Sequence, residues 1–177
     1  MLVFRDRGYH EASMQDLGAA MKLTPGSIYK AFGDKRAIFL AAFERYRTLR
    51  AQRLQGRLAA KATSRDKLAE ALHFYGESAS GTEGRLGCLV VGAAADLSTL
   101  DAGIADRVVD AVERNEAFLR ELIEQGQGDG SIPSTVDAAS AATALLCVTQ
   151  GMRVIGKLGR SRGEMRAVVD QAMKILN

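Results

Sequence analysis

The sequence predicts an all-α chain in which a small N-terminal helix-turn-helix unit precedes a larger helical domain. Three observations carry that prediction. Two short helix patterns between Ser13 and Lys35 are separated by a turn too tight for any other arrangement. Apolar residues recur at three- and four-residue steps through most of the remainder, the period of an amphipathic helix. Only two of 177 residues are proline and 6% are aromatic, which favours helices over strands.

The first short helix begins at Ser13, whose hydroxyl can accept from a backbone N–H of the next turn, with Asp16 adding negative charge at the positive end of the helix dipole. Met14, Leu17, Gly18 and Met21 share one face, and Ala19 and Ala20 let a second helix approach. After a turn at Lys22 and Leu23, Thr24 supplies another cap and Pro25 takes the first helical position, where a missing N–H costs nothing. The second helix is expected over Pro25–Phe32, with Ile28 and Phe32 facing a core and Gly33 stopping it. Gly26, Ser27, Tyr29 and Lys30 are left outside. That surface is small, polar and basic, which suits a major groove, where thin side chains admit close approach and donors reach phosphates and base edges.

Downstream, Asp34 can cap a long helix over Lys35–Leu58 with Ile38, Phe39, Ala42, Phe43 and Tyr46 on its apolar side. A polar break at 61–64 precedes a helix carrying Leu68, Leu72, Tyr75 and Ala79 on one stripe. Residues 80–84 read as a loop, and the apolar run 85–95 fits a strand by length but a buried helix by its small residues and its all-helical surroundings. Ile104, Val108, Val112, Leu119 and Leu122 mark a long helix over about 100–125, ended by glycines. Ser134 or Thr135 is expected to cap the next helix, and a final one carries Met165, Val168, Val169 and Ala172.

The front of the chain resembles the tetracycline-repressor (TetR) family of bacterial transcription regulators. The resemblance rests on an ordered set: Gly8-Tyr9, Ser13 with Met14 to Asp16, Leu23-Thr24-Pro25-Gly26-Ser27-Ile28-Tyr29, and Phe32-Gly33-Asp34-Lys35. It implies a DNA-binding domain over residues 1–46 and a helical ligand-binding and dimerisation domain over 47–177, linked by the long helix as a lever. It further implies that Ser13, Tyr29 and Lys35 hold phosphates, while Pro25, Gly26, Ser27 and Lys30, following Thr24 at the helix start, face base edges. Two departures stand out. Ala31 occupies the place where the family usually has His before the Phe. Met1-Leu2-Val3-Phe4 corresponds to the last two turns of the family's first helix, so the basic residues that often precede it are not in this sequence. Either the natural start lies upstream or DNA is held with fewer contacts.

Charge distribution agrees with the DNA-binding reading. Residues 1–56 carry 10 Lys or Arg against 5 acids, whereas the remainder carries 14 against 16. The positive excess sits on the segment holding the helix-turn-helix, as expected where phosphate neutralisation drives binding. A solvated basic helix face would account for Arg45 to Arg53 equally well. The longest charge-free stretch, 138–152, includes Ser140, Thr143 and Gln150 and is short for a membrane span, and Arg5 and Asp6 interrupt the front as no secretory leader would, so the expected compartment is the cytoplasm.

An enzyme needs a convergent set of titratable groups, and the inventory is poor: two histidines, no phosphate-cradling glycine loop after a strand, and no metal-ligand spacing around Cys88 or Cys147. No catalytic residue, metal or cofactor is expected. Both cysteines lie in apolar stretches and read as buried thiols, although the Gly87-Cys88-Leu89 run resembles electrophile-sensing relatives. Family resemblance and helix count place an apolar cavity in the second domain, lined by His73, Tyr75, Cys88, Phe118 and Gln150, for a mostly apolar small-molecule effector. Pairing through Ala141, Leu145, Val148, Met152, Val168 and Ala172 is expected to build a four-helix bundle across a two-fold axis; the alternative is that these faces close the subunit's own core. The reading is a dimeric, ligand-responsive repressor of a palindromic operator. Its rival is a dimeric small-molecule-binding protein that has lost DNA binding.

Overall fold

A computed structural model describes residues Met1–Asn177 and contains ten α-helices and no strand. They are α1 (Leu2–Glu11), α2 (Met14–Met21), α3 (Pro25–Phe32), α4 (Lys35–Leu58), α5 (Ser64–Ser78), α6 (Gly81–Leu86), α7 (Leu89–Ala95), α8 (Ala102–Gly128), α9 (Ala138–Ile155) and α10 (Arg162–Ala172). Seven of these starts are fixed by a side chain that accepts from the backbone N–H three residues on: Ser13, Thr24, Asp34, Thr63, Asp101, Asp137 and Ser161. Each cap satisfies a donor that the helix itself leaves unpaired, so the boundaries follow from local chemistry.

Around the helix-turn-helix, Phe4, Phe39 and Phe43 are almost wholly buried. Phe4 and Tyr9 each meet the Phe39 ring edge-on at 5.1 Å between centroids. Burying each such ring stabilises the fold by about 1.5–3 kcal/mol, which holds α1 on α4. Ile28 is fully buried from α3, and Gly18 on α2 lets its Cδ1 come so near that an added Cβ would lie 3.2 Å from it. Leu89, Val90 and Ala93 of α7 and Ile104, Val108 and Ala111 of α8 join the same core. The second core draws on α5, the later turns of α8, α9, α10 and the end of α4. Helix α4 therefore crosses the expected boundary after Tyr46 without a break, and it contributes to both cores.

Several expectations are corrected. Residues 80–84 do not form a loop: from Gly81 they are helical, because Gly84 has no Cβ and can pack on the Ala79 carbonyl, which an added Cβ would meet at 2.5 Å. The apolar run 85–95 is split, since Gly87 has φ +74° and separates α6 from α7. Helix α9 is capped by Asp137 rather than by Ser134 or Thr135. Among the expected pairing residues, Ala141, Leu145, Met152 and Ala172 are buried in the subunit's own core, because α9 packs between α5 and α8 and α10 lies on α5. Val148 is half-buried against that core, and only Val168 is exposed. Cys147 is exposed rather than buried. Together with the turn after it, α9 is long and apolar enough by composition to cross a membrane, yet its inner face is part of this core.

Candidate nucleic-acid interface and effector cavity

Thr24, Pro25, Gly26, Ser27, Tyr29 and Lys30 are all exposed on one short helix, while Ile28 between them anchors it. The Thr24 hydroxyl accepts from the Ser27 N–H and lies 2.9 Å from the Ser27 hydroxyl, so the front of α3 is rigid. At Gly26 an added Cβ would meet nothing within 4 Å. Nothing inside the subunit needs glycine there. A thin helix front matters only to something approaching from outside.

Ser13 and Lys35 are placed differently from the rest of the set. Ser13 forms a capping box with Asp16: its hydroxyl accepts from the Asp16 N–H at 3.0 Å and donates to the Asp16 carboxylate at 2.6 Å. These hydrogen bonds, with Arg7 at 2.8 Å, hold the Asp16 carboxyl below the usual carboxylate range. The Lys35 ammonium donates to the His10 carbonyl at 3.1 Å and sits 4.8 Å from the Tyr9 ring centre. It ties the end of α1 to the start of α4. Lys22 and Lys30 have no carboxylate within ion-pair distance and leave positive charge free on this face.

Behind this unit lies a cavity of about 420 Å³ between α4, α5, α8 and α9. Tyr75, Cys88, Phe118 and Gln150 line it. His73 does not. It faces a separate groove with Arg57, Glu70 and Glu77, with its Nε2 3.9 Å from Asp170, because the α5 face that carries Tyr75 turns His73 toward α10. Charge interrupts the apolar wall: Arg47, Arg50, Arg114 and Arg153 contribute to it beside Leu54, Phe74 and Leu119. Arg153 is only 4% exposed. It donates to the Ser78 carbonyl, to the Tyr46 hydroxyl at 3.1 Å and to the Gly87 carbonyl at 3.4 Å. Sequence reading missed Arg50 and Arg153. The available signal was helical spacing: Arg50 follows Tyr46 by one turn, and Arg153 follows Thr149 and Gln150 by one turn at the end of a charge-free stretch.

Cys88 lies 3.5 Å from the Tyr46 hydroxyl. Burial pushes its thiol up, but Arg153, the Tyr46 hydrogen bond, the Val91 backbone and Arg50 outweigh it and leave the thiol below its ordinary value. For Tyr46 burial dominates, and the phenol is raised. The Gly87 carbonyl, one residue earlier, also accepts from Arg5 of α1 at 3.0 and 2.8 Å. One carbonyl thus joins the DNA-facing unit to the cavity wall.

Comparison with known proteins places this arrangement. A family model described as "Bacterial regulatory proteins, tetR family" matches residues 1–42, and one described as "Tetracyclin repressor-like, C-terminal domain" matches residues 64–172. The HTH-type transcriptional repressor ComR of Escherichia coli (strain K12) is 24% identical over 176 residues, covering 99% of this chain and 84% of that protein. A cysteine mutant of the TetR family regulator CifR, solved with 26 bp of double-strand operator DNA, superposes with a TM-score of 0.88 at 29% identity, covering 99% of this chain and 91% of that one. A TetR regulator from Chloroflexus aurantiacus J-10-FL shares the fold with a TM-score of 0.86 at 21% identity, over 98% of this chain and 87% of that one. With a helix-turn-helix in front and the matched helical domain behind it, the chain belongs to the TetR family of transcriptional regulators and is not an enzyme.

Proposed function

We propose that the protein is a dimeric repressor that holds a palindromic operator through α3 and releases it when a small molecule enters the cavity. The observation that carries the reading is the shared wall: Tyr46, Arg50 and Leu54 of α4 line the cavity, and α4 also carries the core on which α3 sits. A ligand that fits one setting of α4 better than another shifts the population by that difference in affinity. Arg5, bonded to the Gly87 carbonyl beside Cys88, gives the same wall a second connection to the front of the molecule.

On the DNA side, Gly26, Ser27 and Lys30 with Pro25 face base edges, Tyr29 reaches a phosphate, and Thr24 holds the helix front in shape. Ser13 and Lys35 contribute through whatever donor capacity their internal bonds leave. One such helix makes few base contacts, so specificity calls for two of them about 34 Å apart across a two-fold axis. The pairing surface comes from the outward faces of α9, α10 and the single turns that follow each, where Val154, Ile155, Leu158, Val168 and Ile175 are exposed. The compartment is the cytoplasm, where chromosomal DNA is met.

The test is selection of bound duplexes from a random-sequence pool, with fluorescence anisotropy at low and moderate salt. A palindromic site with steep salt dependence is the expected result. Absence of binding at low salt would favour the rival reading, a small-molecule-binding dimer without DNA function, which Ala31 in place of the family's usual His motivates.

A further inference from the structure

Arginines on the cavity wall fall into two groups. Arg114 pairs with Asp110 at 2.9 Å, and Arg47 lies 3.4 Å from Glu44 and 3.8 Å from Asp110. These charges are answered. Arg50 and Arg153 have no carboxylate within 4.0 Å. Arg50 donates to the Ser78 hydroxyl at 3.1 Å and lies 4.7 Å from the Phe74 ring centre. Arg153 meets two carbonyls and a phenol, and its Nε–H is the one buried side-chain polar atom without a hydrogen-bond partner. Glu83, the acid whose carboxyl feels both guanidiniums, is committed to Arg5 at 2.8 Å.

Two cations on one wall, one of them buried, are costly without a counter-charge, and an unpaired buried donor adds to the cost. Burial keeps the Tyr46 phenol protonated, which leaves Cys88 as the group beside them whose anion the two guanidiniums favour. One thiolate against two guanidiniums still leaves a positive charge. Beside the two guanidiniums the cavity is lined by Leu54, Phe74, Phe118 and Leu119.

We infer that the effector is an amphiphilic monoanion, a carboxylic acid with an apolar or aromatic body, whose carboxylate sits between Arg50 and Arg153. The planar fork of Arg50, bonded only through one terminal nitrogen, matches a carboxylate, and the free Nε–H of Arg153 supplies a further donor for it. The apolar body lies against Phe74 and Phe118. This inference rests on the cavity being the effector site, and it adds the chemistry that site selects.

Isothermal titration calorimetry of the full chain with 4-phenylbutyrate and octanoate, against their neutral amides, tests it. The acids are expected to bind about tenfold or more tighter than 4-phenylbutyramide and octanamide, since a hydrogen bond to a charged partner outweighs a neutral one by about that much. Arg50→Met keeps a long unbranched stem on Phe74 and should abolish the preference. Arg153→Lys keeps the charge but loses the Nε–H and should reduce it. Equal affinity for acid and amide, absence of acid binding, or a preference untouched by both variants would overturn the inference. Operator occupancy is read in parallel. Acids that bind without releasing DNA leave the anion site standing and sink the ligand-responsive reading; amides that release DNA as well as the acids do the reverse.

Discussion

Two glycine positions show how differently the two ends of this molecule use the same residue. Gly26 opens the exposed face of α3, and a side chain there would enter open space. Gly156, where α9 passes into its final turn, faces the Ala79 carbonyl so closely that any Cβ must displace backbone, and Gly84 faces the same carbonyl from α6. At the second place glycine is required by the fold. At the first it is required by nothing in the subunit, which turns attention to what the subunit approaches.

The largest expected effect is therefore at the junction. Gly156→Ala should destabilise by about 2 kcal/mol or more, because the opposing atoms are backbone and cannot rotate away. Thermal unfolding measures it. A melting temperature unchanged from the parent would mean that the junction relaxes freely and that the contrast with Gly26 is empty.

Gly26→Leu tests the other side. Leucine favours a helix interior over glycine by roughly 0.5–1 kcal/mol, so melting should hold or rise while operator affinity falls about tenfold or more as the helix front is kept from the groove. Loss of stability, or unaltered DNA binding, would remove the argument from open space. Smaller changes should sort Lys30 from Tyr29. Lys30→Ala should relax sequence preference and lower the salt slope by about one per subunit, whereas Tyr29→Ala should weaken all sequences nearly alike. Anisotropy titrations at several salt concentrations separate them.

The same contrast explains what could be read from the sequence. At the DNA-facing end each boundary is written in neighbouring residues: Ser13 with Asp16, Thr24 with Pro25, Gly33 with Asp34. Caps and turns are local chemistry, so the starts of both short helices are legible in the sequence. The cavity end depends on residues far apart in the chain. Arg153 meets Tyr46 across 107 positions and Ser78 across 75, and no local pattern announces either contact. His73 and Tyr75 lie two residues apart on α5 and face different cavities, a distinction of about 200° around a helix that fixes a side chain's destination only once the neighbours are known. Four of the six expected pairing residues are buried within the subunit for a related reason. An apolar stripe of Ala141, Leu145 and Met152 says that a face is covered, and only packing says that the cover is the chain's own α5 and α8.

One pair of matched motifs gives the finest comparison. The starts of α2 and α10 are both capping boxes, Ser13 with Asp16 and Ser161 with Glu164, and each acid also meets an arginine at 2.8 Å, Arg7 in one case and Arg160 in the other. Hydrogen bonds from Ser161 and then Arg160 pull the Glu164 carboxyl from 4.5 down to about 2. A carboxyl depressed in the folded state stabilises above its unfolded value and loses that contribution as pH falls through the folded one. The melting difference between the parent and Glu164→Ala should therefore be steady above about pH 4.5 and close as pH falls toward 2, with operator affinity at neutral pH unchanged. Asp16→Ala should show a similar closing difference, because its carboxyl is lowered by the same kind of bonds, but it should also weaken operator binding, since α2 is the platform on which α3 is set. Equal effects of the two substitutions on DNA would mean that the cap at Ser13 serves stability alone, and that the DNA-facing end differs from the rest of the molecule only in α3.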